Sequence, residues 1–217
     1  MLNLFDTHAH LSDEAFDEDR DALIPTLPEA GVGRIIDVAC DIRTAERTLA
    51  LLDRYQFIYG TVGMHPHDVS AMNNAYMDRI AEVVSHEKML AIGEIGLDYH
   101  YDLSPREEQR RWFAEQLDLA KQLGYPVVLH IREAFGDCMD ILRAHRDGLR
   151  GVMHCYSGSV ETAPIPPLRM RVPSNHDIYW LLIIWAIRVP SSSKAPQCWS
   201  VSRSASCLDF PGSSMRP

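Results

Sequence analysis

Residues 104–133, SPREEQRRWFAEQLDLAKQLGYPVVLHIRE, read as a helix followed by a buried strand, and that order decides the fold. Ser104-Pro105-Arg106-Glu107 has the pattern of a capping box with proline at the first helical position. Phe113, Leu117 and Ala120 recur on one stripe, and Gly124 ahead of Pro126 closes the segment. The spacing predicts a helix over Pro105–Leu123. A short apolar strand, Val127–Leu129, then ends in His130.

The same alternation extends in both directions. Apolar runs bounded by turn residues predict further strands at Leu2–Phe5, Arg34–Val38, Phe57–Val62, Met89–Ile92 and Gly151–Met153. Amphipathic segments near Asp19–Ala30, Thr44–Tyr55, Tyr76–Ser85 and Ala134–His145 fill the gaps. Repeated β-then-α units imply parallel strands joined by right-handed crossovers. A complete (β/α)₈ barrel typically needs ~250 residues. The expected fold is therefore α/β: an incomplete TIM-type (β/α)8 barrel with about six βα units and an irregular C-terminal tail.

The composition changes at about Pro164. Residues 164–217 hold eight of the 13 prolines, three of the four tryptophans and one of the 12 glycines. They carry two acidic and six basic residues, a net of +4 against −9 for the whole chain. Two regions are expected: a barrel portion over 1–163 and a poorly packed tail over 164–217. A translational frameshift near Ala163 would explain the composition, the lost periodicity and the arrested barrel together. A genuine Pro/Ser-rich extension is the alternative.

The net charge of −9 argues against a broad basic footprint for nucleic acid. It leaves room for a nuclease whose bound cations supply the positive charge. Cys40, Cys138, Cys155, Cys198 and Cys207 are scattered, odd in number and without CxxC pairs, as in a reduced cytoplasmic protein. No signal peptide is read at the N-terminus. The longest apolar run, Ile178–Ile187, falls short of the roughly 20 residues that span a bilayer.

Five metal-ligand residue types fall at the ends of predicted strands: His8 and His10 after the first, Glu94 after the fourth, His130 after the fifth and His154 after the sixth. Alternate residues of an extended chain share a face, so both imidazoles of His8-Ala9-His10 can reach one cation. The C-terminal ends of barrel strands are where active sites are built. Imidazoles and carboxylates suit Zn²⁺, Mn²⁺ or Fe, and more carboxylate favours Mg²⁺. A central carboxylate such as Glu94 can bridge two cations that clamp the attacking and leaving oxygens of a phosphoryl displacement.

DTHAHL, Gly63-Met64-His65-Pro66-His67, GEIGLDYHYD, PVVLHIRE and HCYSGS resemble the TatD family of metal-dependent deoxyribonucleases, within the amidohydrolase-type barrels. The resemblance covers residues 1 to about 163. It implies a TIM-type barrel in which His8, His10, Glu94, His130 and His154 bind two divalent metals, Mg, Mn or Zn. It also implies hydrolysis of phosphodiester bonds in DNA, as a 3′→5′ exonuclease on single strands. The family's further ligand is an Asp in a Glu-Thr-Asp segment after the eighth strand, a context that Asp177 and Asp209 lack. Here Glu161-Thr162 is followed by Ala163, and loss of that carboxylate is expected to cost most of the activity.

Further expectations attach to single residues. Arg132 is assigned a catalytic contact to a substrate phosphate, with a surface salt bridge as the equal alternative. His65 and His67 are expected to line the mouth beside substrate or to shape the loop. Tyr99 and its neighbours His100 and Tyr101 could stack on an unpaired base or pack within the loop. Asp6 is expected to orient a ligand histidine, and Cys155 to pack. The acidic run at Asp13, Glu14, Asp17, Glu18, Asp19 and Asp21 reads as a solvated face. Two other functions share the ligand frame: an amidohydrolase acting on a small amide, lactone or ester, and an inactive pseudo-enzyme. Single-stranded DNA or another phosphodiester is the expected partner, with no membrane and no protein partner.

Overall fold

In the computed structural model the described residues are 4–155; the expectations for the tail from residue 164 lie outside them. Six strands form one parallel sheet in sequence order: β1 (Leu4–Ala9), β2 (Val32–Val38), β3 (Ile58–Val62), β4 (Met89–Asp98), β5 (Val127–Arg132) and β6 (Gly151–Met153). The crossovers carry α1 (Arg20–Leu23), α2 (Ile42–Arg54), α3 (Asn74–Val84), α4 (Arg106–Leu123) and α5 (Phe135–Ala144). Ile35, Ile58, Ile92, Leu97, Val127 and Leu129 supply the strands' share of the core. In a flat sheet, β1 and β6 would lie about 24 Å apart at ~4.8 Å per spacing. The rings of His8 in β1 and of His154 just after β6 instead stack with centroids 3.5 Å apart. The sheet is curled, an open six-stranded portion of a TIM-type barrel.

Local chemistry explains where the elements depart from expectation. The helix expected over Asp19–Ala30 stops at Leu23 and continues only as a 3₁₀ turn over Ile24–Thr26, because Pro25 and Pro28 remove amide donors. Strand β4 runs six residues beyond Ile92. Its two glycines do not mark a turn; they permit close strand approach. A Cβ on Gly93 would sit 2.6 Å from Val128 Cβ, and one on Gly96, where φ is +147°, would overlap the His130 carbonyl oxygen.

The capping box expected at Ser104 does not form. Pro105 precedes α4 without a side-chain cap, and the Ser104 hydroxyl donates to the His67 carbonyl at 2.7 Å. A capping box is found on α2 instead, where the Asp41 carboxylate accepts from the Thr44 amide at 2.7 Å and Thr44 Oγ1 accepts from the Asp41 amide at 3.0 Å. Helix α4 turns Trp112, Phe113, Leu117 and Ala120 inward, together with Gln109 and Gln116. The two glutamines are tied to the backbone at the C-terminal ends of β4 and β3.

Candidate metal centre

His8 lies within β1, Glu94 within β4 and His130 within β5, while His10 and His154 directly follow β1 and β6. The curl gathers all five around Glu94, which is 3% exposed. Its Oε2 is 3.4 Å from His8 Nε2 and 3.9 Å from His10 Nε2, and its Oε1 is 3.1 Å from His130 Nδ1. His10 Nδ1 donates to the Val38 carbonyl at 2.7 Å, which leaves its Nε2 lone pair toward the cluster. Three sets of potential ligand atoms, each within 4.8 Å, overlap on Glu94: His8 with His154, His10 with Cys40, and His65 with His130.

Electrostatics keep Glu94 and the His10, His65 and His154 rings in the forms a cation requires. Burial alone would raise the Glu94 carboxyl, but the facing His8 and His130 rings hold it well below the usual carboxylate range. Burial pushes the His154 imidazole down to about 4 and also lowers those of His10 and His65, so these rings are neutral near pH 7. Neutral imidazoles around one ionised carboxylate are the donors that Zn²⁺ or Mn²⁺ takes. The residues fit one or two divalent cations on either side of Glu94.

Asp98 is the residue that strand assignment from sequence missed. It is fully buried, and its Oδ2 lies 2.9 Å from His67 Nε2 and 3.0 Å from His130 Nε2. Its Oδ1 accepts from the His100 and Tyr101 amides, each at 2.9 Å. Burial opposes its ionisation, yet the hydrogen bonds from His130 and His67 hold it far below the usual carboxylate range. An ionised carboxylate only accepts, so a His130 ring between Glu94 and Asp98 must donate from both nitrogens. Burial alone would lower its pKa, but the bonds to Asp98 and Glu94 push it up to about 9. Once β4 is continued through Glu94, strand periodicity alone would place residues 94, 96 and 98 on one face.

Gln109 and Gln116 also escaped the sequence reading, although both stand out as polar residues on the apolar stripe of α4. Gln109 Oε1 accepts from the Asp98 amide at 2.9 Å, and its Nε2 donates to the Ser104 and Asp98 carbonyls at 2.8 and 3.2 Å. Gln116 accepts from the Met64 amide at 2.7 Å and donates to the Met64 carbonyl at 3.2 Å. Cys40 had no assigned role; its Sγ lies 3.7 Å from His10 Nδ1.

The remaining expected residues divide. His65 is buried edge-on to His130, with centroids 4.4 Å apart, and His67 meets Asp98, so both join the cluster. Arg132 is half-buried, its guanidinium 4.6 Å from the centroid of the Tyr101 ring. Tyr99 is not brought to the cluster: its hydroxyl donates to Asp137 at 2.6 Å, and Arg106 lies over its ring at 4.3 Å. Asp6 accepts from the His8 amide at 3.1 Å, so it orients that residue's backbone rather than its ring. Cys155 is exposed, against the expectation of packing. Part of the acidic run is held by arginines, with Asp17 2.7 Å from Arg20 and 2.9 Å from Arg47. No helix among the described residues is long and apolar enough to cross a membrane.

The family model described as TatD related DNase matches residues 5–165. The uncharacterized metal-dependent hydrolase YabD of Bacillus subtilis is 41% identical over 161 residues, which cover 74% of this chain and 63% of that protein. The 3′-5′ ssDNA/RNA exonuclease TatD of Escherichia coli is 35% identical over 183 residues, 84% of this chain and 68% of that protein. The crystal structure of the Escherichia coli TatD homolog YJJV superimposes with a TM-score of 0.67 at 34% identity, covering 74% of this chain and 62% of that one. The chain thus spans about three fifths of the length of several of these relatives.

Proposed function

From a chain that belongs to the TatD-related DNase family, we propose a metal-dependent hydrolase that cleaves phosphodiester bonds in single-stranded nucleic acid from the 3′ end. The observation that carries this reading is the placement of Glu94. Ligand nitrogens face both of its oxygens, His8 and His10 on one and His130 on the other, as a carboxylate shared by two cations requires. His154, stacked on His8, completes the set. Mg²⁺, Mn²⁺ or Zn²⁺ held there would supply Lewis acidity toward the phosphoryl group.

The chain's own residues do the rest. Arg132 offers its guanidinium to a substrate phosphate. Tyr101, rather than Tyr99, is the aromatic ring beside the cluster: it lies under Arg132 and edge-on to His67 at 5.5 Å, where an unpaired base can stack. His65 and His67 wall the mouth. Glu161-Thr162 is followed by Ala163, and Asp177 and Asp209 lack the context of the Glu-Thr-Asp segment that the family resemblance implies, so reduced turnover is expected. The carboxylate at position 94, where a carbamylated lysine would serve small-molecule amidohydrolases, supports the phosphodiesterase reading. A reducing cytoplasm fits the five scattered cysteines, which form no CxxC motif in the sequence.

The test uses the purified full chain, a 5′-labelled single-stranded oligonucleotide and Mn²⁺ or Mg²⁺. Trimming from the 3′ end gives a ladder of shortened labelled products. EDTA should abolish it, and Glu94→Gln should reduce it by about 100-fold or more. Turnover of a small ester or lactone with an intact oligonucleotide would overturn the proposal.

A further inference from the structure

We propose that Asp98 is a positioning residue that fixes which nitrogen His130 offers to a cation. The inference rests on the metal centre proposed above. Asp98 cannot turn to suit a neighbour. Two backbone amides hold Oδ1, and Gln109 holds both the amide and the carbonyl of the residue. Its remaining oxygen, Oδ2, therefore lies at one fixed point, 3.0 Å from His130 Nε2 and 2.9 Å from His67 Nε2. A carboxylate there can only accept, so Nε2 of a neutral His130 must carry the proton. Once a cation replaces the proton that Nδ1 donates toward Glu94 Oε1, 3.1 Å away, the lone pair it meets is on Nδ1. Asp98 thus sets ring orientation and tautomer together, as carboxylates behind metal-ligating histidines do.

The shared oxygen gives the arrangement a second consequence. His67 comes from the segment after β3 and His130 from β5, so one buried anion ties the mouth loop to a metal ligand. Asparagine at position 98 cannot reproduce this. With its oxygen toward the His100 and Tyr101 amides, its NH₂ would donate to His130 Nε2. That ring would then have to protonate Nδ1 and turn a donor toward Glu94, where a cation would sit.

The experiment is Zn²⁺ titration of the full chain by calorimetry, with ¹⁵N-histidine NMR of the Zn²⁺-loaded protein. Wild type should show His130 bound through Nδ1 with a protonated Nε2. Asp98→Asn should weaken Zn²⁺ binding by about 10- to 100-fold and lose that Nε2–H signature. Unchanged affinity and tautomer in Asp98→Asn would overturn this inference alone. No Zn²⁺ uptake by wild type would overturn it together with the metal centre. His67→Leu provides a second arm should Asp98→Asn fail to fold. It leaves Asp98 wholly to His130, so affinity should hold or rise. A tenfold loss there would mean that ring packing, not the carboxylate, sets His130, and would overturn the inference.

Discussion

Replacing Gln109 by methionine measures how firmly α4 holds the mouth of the sheet. Gln109 is fully buried and makes three hydrogen bonds, one with the Asp98 amide and one each with the Asp98 and Ser104 carbonyls. Methionine keeps similar length and volume, so the change is chiefly chemical. It strands one amide and two carbonyls away from water. A stranded buried polar group costs ~1–3 kcal/mol. The amide, with a single bond to make, bears the full cost, while carbonyls with two lone pairs bear less. The sum is about 2–4 kcal/mol, a large share of the ~5–15 kcal/mol that keeps a domain folded. With a urea slope of about 2 kcal/mol per molar, the unfolding midpoint should fall by about 1–2 M. Circular dichroism of the full chain across a urea series reads this directly, with Glu107→Met on the exposed face of α4 as a control expected to stay within about 0.5 kcal/mol of wild type. A Gln109→Met midpoint within about 0.3 M of wild type would refute the reasoning, because the glutamine would then be acting as hydrocarbon.

The His130 imidazole, pushed up to about 9 from its ordinary 6.5 in the metal-free protein, should give a stability that depends on pH. A raised basic pKa contributes fully below about 6.5, and the contribution is lost as pH rises through about 9. In EDTA, wild type should therefore lose more stability than His130→Gln between those limits, and parallel urea-midpoint curves would sink the assignment. Divalent cations bind β1, β4, β5 and β6 together in the proposed centre, so they should stabilise the fold by mass action, about 2.7 kcal/mol at 100 times the dissociation constant. A thermal midpoint unchanged by Mn²⁺ in wild type, or raised equally in Glu94→Gln, would count against those ligands.

How much could be read from sequence depended on whether a signal was local. The α4–β5 step was legible because a stripe, a terminating glycine and an apolar run all fall within thirty residues of one another. The five potential ligands were legible because barrel geometry puts strand C-termini on one rim. The sequence predicts the fourth strand only to Ile92, because glycine in a sequence is a turn signal until a neighbouring strand is known. Only the approach of β5, with Gly96 paired to His130, reveals that Gly93 and Gly96 make room for another backbone. Ending the strand there also concealed Asp98, since periodicity could not be carried through a supposed loop.

The polar partners failed to show for a different reason. Gln109 and Gln116 interrupt the apolar stripe of α4, but their bonds run to backbone groups of Asp98 and Met64 that no side-chain pattern encodes. Ser104 looks like a cap, but its hydroxyl has the His67 carbonyl within reach and spends its proton there. Each of these contacts joins a helix-side residue to the backbone beside the candidate metal cluster. The candidate ligands could thus be named from the sequence, whereas what holds them at fixed distances becomes visible only once the sheet has curled. The fixed distances are also what suit Glu94 to the shared role proposed for it rather than that of one buried acid among several: remove the backbone ties behind Asp98, and His130 has no reason to keep Nδ1 turned toward it.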